Sequence, residues 1–245
     1  MAESTQAPRF FVYIVESPSA PDIYHGRSEG ALVAKAVELD GIPSVTRTVI
    51  NPVAFDAALR IGLPEVMKLY PDRLPILHIS AHGAKHGIQL SSGDVLSWID
   101  LRPMLTPINE SLGGYLLLCM SACEGYSACQ MAMQEGNGPH PYFSMVGNFG
   151  KPTWSDTAVA YSAFYHLLSK GYNVFDAVIR MKAASGDDNW TAETAEQSKQ
   201  GYLEYLQSVV PSEAQQELQA AAEEQPLPPE AKALESPVGR VSQAR

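Results

Sequence analysis

Short continuous apolar runs alternate along this chain with stretches whose apolar residues recur at helical spacing. Arg9–Glu16 (Arg-Phe-Phe-Val-Tyr-Ile-Val-Glu) is rich in β-branched and aromatic residues and reads as a first strand. Ser17–Gly26, with Pro18 and Pro21, reads as a loop at its C-terminal end. Ser28–Leu39 carries Leu32, Val33, Ala36 and Val37 on one helical face, and Gly41 closes it. Ser44–Ile50 is a second strand. Asn51 caps a helical region that reaches Tyr70 with a break expected at Pro64. Leu74–Ala81 is a third strand, and Ser-Ser-Gly-Asp between Gly87–Leu90 and Val95–Trp98 marks a hairpin turn. A short helix is expected over Ile99–Leu105, a fourth strand over Gly114–Ser121, and a helix from there to about Gln134. A fifth strand follows at Tyr142–Val146. Helices are expected near Ser155–Ser169, Val174–Ala184 and Trp190–Val209.

Strands that are apolar throughout, alternating with helices, indicate an α/β fold with a mostly parallel sheet covered on both faces. Ligands in such sheets bind outside the carboxyl ends of the strands. His82 and Cys123 fall at those ends. Adjacent strands lie about 4.8 Å apart, so the two side chains can face one another if the third and fourth strands are neighbours. From Pro211 onward Glu, Gln, Ala and Pro dominate and aromatics vanish. The expected organisation is a flexible N-terminus over 1–8, one domain over 9–209, and a Pro- and Glu-rich disordered tail over 210–245, with a candidate helix at Gln215–Glu224.

Charge and composition narrow the function. A formal net charge of −10 with no Lys/Arg cluster argues against nucleic acid as a partner. No basic amphipathic helix and no run near the roughly 20 apolar residues of a bilayer span argue against a membrane. The polar start, Met-Ala-Glu-Ser-Thr-Gln-Ala-Pro, lacks the regions of a signal peptide, so a cytoplasmic location is expected. Cys119, Cys123 and Cys129 do not make a disulfide framework; in a reducing compartment they are free thiols.

Those thiols carry the candidate chemistry. Cys123 stands where the fourth strand hands over to the expected helix, whose N-terminal amides favour a thiolate. Cys119 alternates within the strand and reads as core; Cys129 reads as packing. Among His78, His82 and His86, the first lies inside a strand and the last in a loop. His82 stands at the strand end before Gly83, placed to take a proton from Cys123. The amides of Gly83 and Cys123 form a candidate oxyanion hole. The spacing of four between the three histidines also suits zinc on a helix, but the pattern here is strand then Gly, with no Cys-x-x-Cys and no His-Glu-x-x-His. Neither metal nor cofactor is expected. Walker, Gly-x-Gly-x-x-Gly and Gly-x-Ser-x-Gly motifs are absent.

Ile-Ser-Ala-His82-Gly83 and Met-Ser-Ala-Cys123 resemble the paired strand ends of the caspase-fold (clan CD) cysteine peptidases: caspases, metacaspases, separases, gingipains and bacterial CHAT peptidases. The CHAT branch resembles the chain most, through Gly87-Ile-Gln-Leu-Ser-Ser-Gly-Asp-Val-Leu-Ser-Trp98 and through Met145-Val-Gly-Asn, Trp154-Ser-Asp-Thr-Ala, Phe164-Tyr165, Gly171 and Ala177. The likeness covers about Arg9 to Ala184. It implies a caspase-like three-layer α/β/α sandwich and peptide-bond hydrolysis with His82 as general base and acid and Cys123 as nucleophile. It also implies a regulated role in bacterial defence or cell death, with a protein substrate and an activating or sensor protein on another chain. Metacaspases hold a basic residue on the acyl side of the scissile bond (P1) partly through an acid two residues before the Cys. That position here is Ser121. Asp156 is the candidate acid for such a pocket, or else the cap of the helix starting near it; Asp22 and Glu29 are further pocket candidates. A neutral P1 stays open. So do two other readings: a catalytically silent caspase-fold binding or scaffold module, and a small-molecule thioesterase or amidase.

Overall fold

The computed structural model describes residues 9–209. Strands β1 (Phe10–Ser17), β2 (Ser44–Thr48), β3 (Leu74–Ala84), β6 (Leu117–Ser121), β7 (Ser144–Asn148) and β8 (Trp190–Thr194) form one sheet in the order β2-β1-β3-β6-β7-β8. The β4 (Gly87–Gln89) and β5 (Val95–Ser97) hairpin extends from β3. All pairings along the main path are parallel except β7 with β8. This is the mixed α/β sandwich expected from the pattern.

Why the strands are apolar on both faces is plain from what covers them. Phe11, Tyr13, Val15, Leu77, Ile79, Leu118 and Met120 share one core with α3 (Pro52–Ala57), α4 (Leu63–Leu69) and α5 (Trp98–Ser111). Val12, Ile14, Ile76, Cys119 and Val146 share the other with α2 (Glu29–Leu39), α6 (Trp154–Ser169) and α7 (Val174–Ser185). Each buried large apolar side chain contributes about 1.5–3 kcal/mol, so the two cores dominate the folding energy.

Several sequence expectations need correction. The loop after β1 contains a helical turn, α1 (Ala20–Tyr24), begun by Ser19 with Pro21 in its first turn. Pro64 does not break its helix. A π turn at Ala58–Gly62 precedes it, and Pro64 sits in the first turn of α4, where a missing N–H costs least. The Ala58 carbonyl accepts the Tyr13 hydroxyl at 2.7 Å. Helix α5 runs on to Ser111 through Pro103 and Pro107. Both prolines are exposed, while Leu101 and Leu105 bury the opposite face, so tertiary packing outweighs local propensity. The segment after Cys123 is a 3₁₀ helix over Gly125–Ala132 rather than an α-helix.

Trp190 opens a strand and not a helix. Two helices, α6 and α7, separate β7 from β8, so the chain comes back to the end it left and must re-enter the sheet antiparallel. Helix α8 (Ala195–Val209) follows. The first compact unit ends within it, at Leu203; of the second, 204–209 are described and are helical. The segments 1–8 and 210–245, including the candidate helix at Gln215–Glu224, lie outside the described residues.

Candidate active site

Register sets the site. Ile14, His78, Cys119 and Val146 form one rung across β1, β3, β6 and β7, and Glu16, Ser80 and Ser121 form the rung two residues on. Side chains two apart share a face. Two residues further, β3 reaches His82 and the chain after β6 reaches Cys123, both on the α2/α6 face.

Gly83 permits the close approach. A Cβ there would overlap the Cys123 carbonyl oxygen and stand 2.8 Å from the Ala122 Cβ and 2.9 Å from the Cys123 nitrogen. Only glycine lets the two strand ends pack backbone to backbone. Cys123 itself sits in a tight turn: the Gly125 amide donates to the Ala122 carbonyl at 3.0 Å, and Glu124 has φ +52°. Glu124 is the one non-glycine residue in the left-handed region among those described. It is held there by its amide, which donates to the Gly150 carbonyl at 2.6 Å, and by a 3.7 Å ion pair with Lys151. Strain of this kind collects at functional sites.

Of the three cysteines, Cys119 and Cys129 are buried and Cys123 is half-buried. Burial pushes the Cys119 thiol up to about 12 and the Cys129 thiol up to about 11, so neither is a nucleophile at neutral pH. His82 is 43 % exposed. It shares a pocket of about 190 Å³ with Cys123, walled by Ala81, Ala122, Pro152, Thr153, Trp154 and Thr157. The Trp154 ring stands edge-on to the imidazole with centroids 5.5 Å apart.

The sequence reading did not see what holds His82. Asp22 in α1 places Oδ2 3.2 Å from His82 Nε2. An ionised carboxylate only accepts, so Nε2 carries the hydrogen and Nδ1 keeps the basic lone pair. Asp22 is itself nearly buried and fixed: the Ser19 hydroxyl donates to the same oxygen at 2.5 Å, and Arg27 Nε lies 3.9 Å from Oδ1. The Ser19 hydrogen bond first, then the one from His82, lower its pKa below the usual carboxylate value. Pro18-Ser19-Ala-Pro21-Asp22 was the available signal, but its direction toward His82 is a tertiary fact.

The other sequence candidates fall elsewhere. Ser121 is buried and donates to Glu29 Oε1 at 3.1 Å; Glu29 Oε2 lies 3.2 Å from His78 Nε2, and His78 Nδ1 lies 2.9 Å from the Tyr165 hydroxyl. This sealed polar group sits beneath the pocket and does not line it. Asp156 forms a capping box: its Oδ2 accepts from the Thr153 amide at 2.9 Å and hydroxyl at 2.7 Å, and its amide bonds back to Thr153. It is not among the residues that line the pocket. His86 is exposed. No group of three His, Cys, Asp or Glu placed to hold a metal occurs among the described residues.

No family model and no curated protein matches the sequence. Among solved structures the chain is similar to the Arg-specific cysteine proteinase gingipain R, at 12 % identity and TM-score 0.43 over 80 % of this chain and 48 % of that one. It is also similar to the complex of the Porphyromonas gingivalis RgpB pro- and mature domains, at 13 % identity and TM-score 0.48 over 79 % and 49 %. The chain thus spans about half the length of these structures.

Proposed function

We propose that the chain is a cysteine endopeptidase of the CHAT type that works through Cys123 and His82, with Asp22 orienting His82. The observation that carries this reading is the arrangement at the carboxyl edge of the sheet. A half-buried thiol and an imidazole whose far nitrogen is tied to a fixed carboxylate line one pocket.

The chemistry follows. His82 Nδ1 takes the thiol proton, and the sulfur bonds to the substrate carbonyl carbon. The oxygen gains charge in front of the Gly83 and Cys123 amides. Among the described residues nothing accepts from the Cys123 amide, which is therefore free for that oxygen. The tetrahedral centre collapses: the C–N bond breaks and His82 returns its proton to the departing amine. Water, deprotonated by His82, then attacks the thioester. The C–S bond breaks, the acid is released, and His82 gives the proton back to the sulfur. Asp22 stabilises the imidazolium at each stage.

The regulated role in bacterial defence or cell death, the activating protein on another chain and the cytoplasmic location belong to the same proposal. The role and the activator rest on the resemblance of motifs; the location rests on the sequence reading alone. No described helix is long and apolar enough to cross a membrane.

The test is a peptide-library cleavage profile of the full chain beside Cys123→Ala. Cleavage by the wild type that the variant lacks is the expected result. A wild type that cleaves no peptide, while its Cys123 reacts with peptide electrophiles no faster than a small thiol reagent predicts, points to the silent scaffold.

A further inference from the structure

The geometry points to an uncharged P1 residue of modest size, between alanine and phenylalanine, as what the Cys123 pocket selects. This rests on the peptidase reading and names the substrate class of the same site.

Two observations carry it. The first is the wall. Ala81, Ala122, Pro152, Thr153, Trp154 and Thr157 surround the space beside Cys123 and His82, and among the described residues no carboxylate, Lys or Arg lines it. The volume, about 190 Å³, is below the roughly 300–1,000 Å³ that holds a whole small ligand. An apolar cavity of about 150 Å³ holds a benzene-sized group, so a single Leu, Met or Phe side chain fits here.

The second observation is where the nearby acids are spent. Glu29 is fully buried, with one oxygen on Ser121 and the other on His78. Glu16 accepts from the Gly30 amide at 2.9 Å and from the Ser28 hydroxyl at 2.6 Å. Asp22 is held by Ser19 and His82, Asp156 by the Thr153 cap, and Glu124 by Lys151. An Arg or Lys side chain in the pocket would meet no free carboxylate. An Asp would meet no free Lys or Arg, since Arg27 faces Asp22 and Lys151 faces Glu124, and the one imidazole in reach, His82, is already paired with Asp22. A charge closed in without a partner loses its hydration for nothing.

The experiment uses the full chain and a panel of peptidyl chloromethyl ketones identical except for P1: Ala, Leu, Phe, Gln, Asp, Lys and Arg. Each alkylates Cys123 by forming a sulfur–methylene bond as chloride leaves. Intact-mass kinetics give the rate, divided by that for iodoacetamide to remove differences in thiol reactivity. The expected result is that Leu and Phe probes react roughly thirtyfold or more faster than Lys, Arg or Asp probes. Fast, peptide-dependent labelling with Arg, Lys or Asp foremost overturns the inference and leaves the peptidase reading standing. A flat panel, with no peptide above the small reagent, overturns both.

Discussion

Gly83→Ala is the smallest change that attacks the site through its backbone. The added methyl would lie inside the Cys123 carbonyl oxygen and 2.8 Å from the Ala122 Cβ. The tighter overlap, with the Cys123 carbonyl oxygen, sets the displacement, and the strand ends must part by about 1 Å. The neighbours are backbone and a fixed Cβ, with no flexible side chain to yield. Overpacking of this kind costs roughly 1–3 kcal/mol. For a domain this size about 2–4 °C of Tm goes with each kcal/mol, giving a fall of roughly 2–12 °C. The same displacement moves the Cys123 carbonyl and amide against His82. A misplacement near 1 Å costs on the order of a hundredfold in rate. Peptide kcat/KM should therefore fall by tens of fold, while iodoacetamide labelling of Cys123 changes less, because a small reagent needs no oxyanion geometry. Gly201→Ala is the control. It lies inside α8 with nothing within 4 Å of an added Cβ, and should raise Tm by up to a few degrees. A Gly83→Ala protein with wild-type Tm and turnover would refute the claim that this glycine sets the distance between the strand ends.

Cys123→Ala should abolish cleavage with Tm within a few degrees of wild type, whereas Cys129→Ala should keep most activity; inactivation by Cys129→Ala alone would overturn the assignment. Asp22→Asn keeps the shape but removes the charge facing His82, and should lower kcat by roughly tenfold or more with little change in KM, since charged hydrogen bonds contribute about 1.5–3 kcal/mol. Because the native Asp22 pKa is lowered, its stabilisation is present above about 3.8 and is lost as pH falls through the native value. The Tm gap between wild type and Asp22→Asn, measured by calorimetry, should be full at pH 6 and close in strong acid; a constant gap would contradict it. Asp156→Ala should cost about 1 kcal/mol through loss of the Thr153 capping box and leave the P1 profile unchanged; a selective loss of Arg or Lys cleavage would return Asp156 to the pocket.

The central strands β1, β3, β6 and β7 were legible because each is a mostly apolar run, which is what burial on both faces demands. The ends of β3 and β6, with His82 and Cys123, were legible for the same reason: the runs stop there at Gly83 and at the turn through Glu124. Elements fixed by tertiary context were not. Trp190–Thr194 looks like the start of a helix because its polar alternation suits an antiparallel edge as well as a helical face. The Pro103 and Pro107 helix hides behind a local propensity that burial of Leu101 and Leu105 overrides. Asp22 reads locally as the acid in the first turn of a five-residue helix, and only the packing of α1 brings it to His82, sixty residues along the chain.

The layer beneath the pocket fixes the two strands that carry His82 and lead to Cys123. On the α2/α6 face polarity enters with His78, in the rung it shares with Ile14, Cys119 and Val146, and is complete in the next rung of Glu16, Ser80 and Ser121. Such a layer is a poor way to stabilise a core, since a buried carboxylate gains little net energy even when paired. What it does is fix geometry. Glu29 from α2 ties β6 through Ser121 and β3 through His78, and the Tyr165 hydroxyl from α6 takes the other nitrogen of the same imidazole. Two strands and two helices are thereby pinned one turn of pleat below His82 and Cys123. Ser28, Gly30 and Glu16 pin α2 to β1 in the same way, next to the segment that carries Asp22. His82 and Cys123 thus stand on strands held by buried hydrogen bonds, although the buried Ser80 hydroxyl in the same layer has no partner among the described residues, and Glu16 and Glu29 are consumed in making those bonds. In the proposed mechanism, the buried bonds that hold His82 and Cys123 in place also keep Glu16 and Glu29 from a substrate side chain.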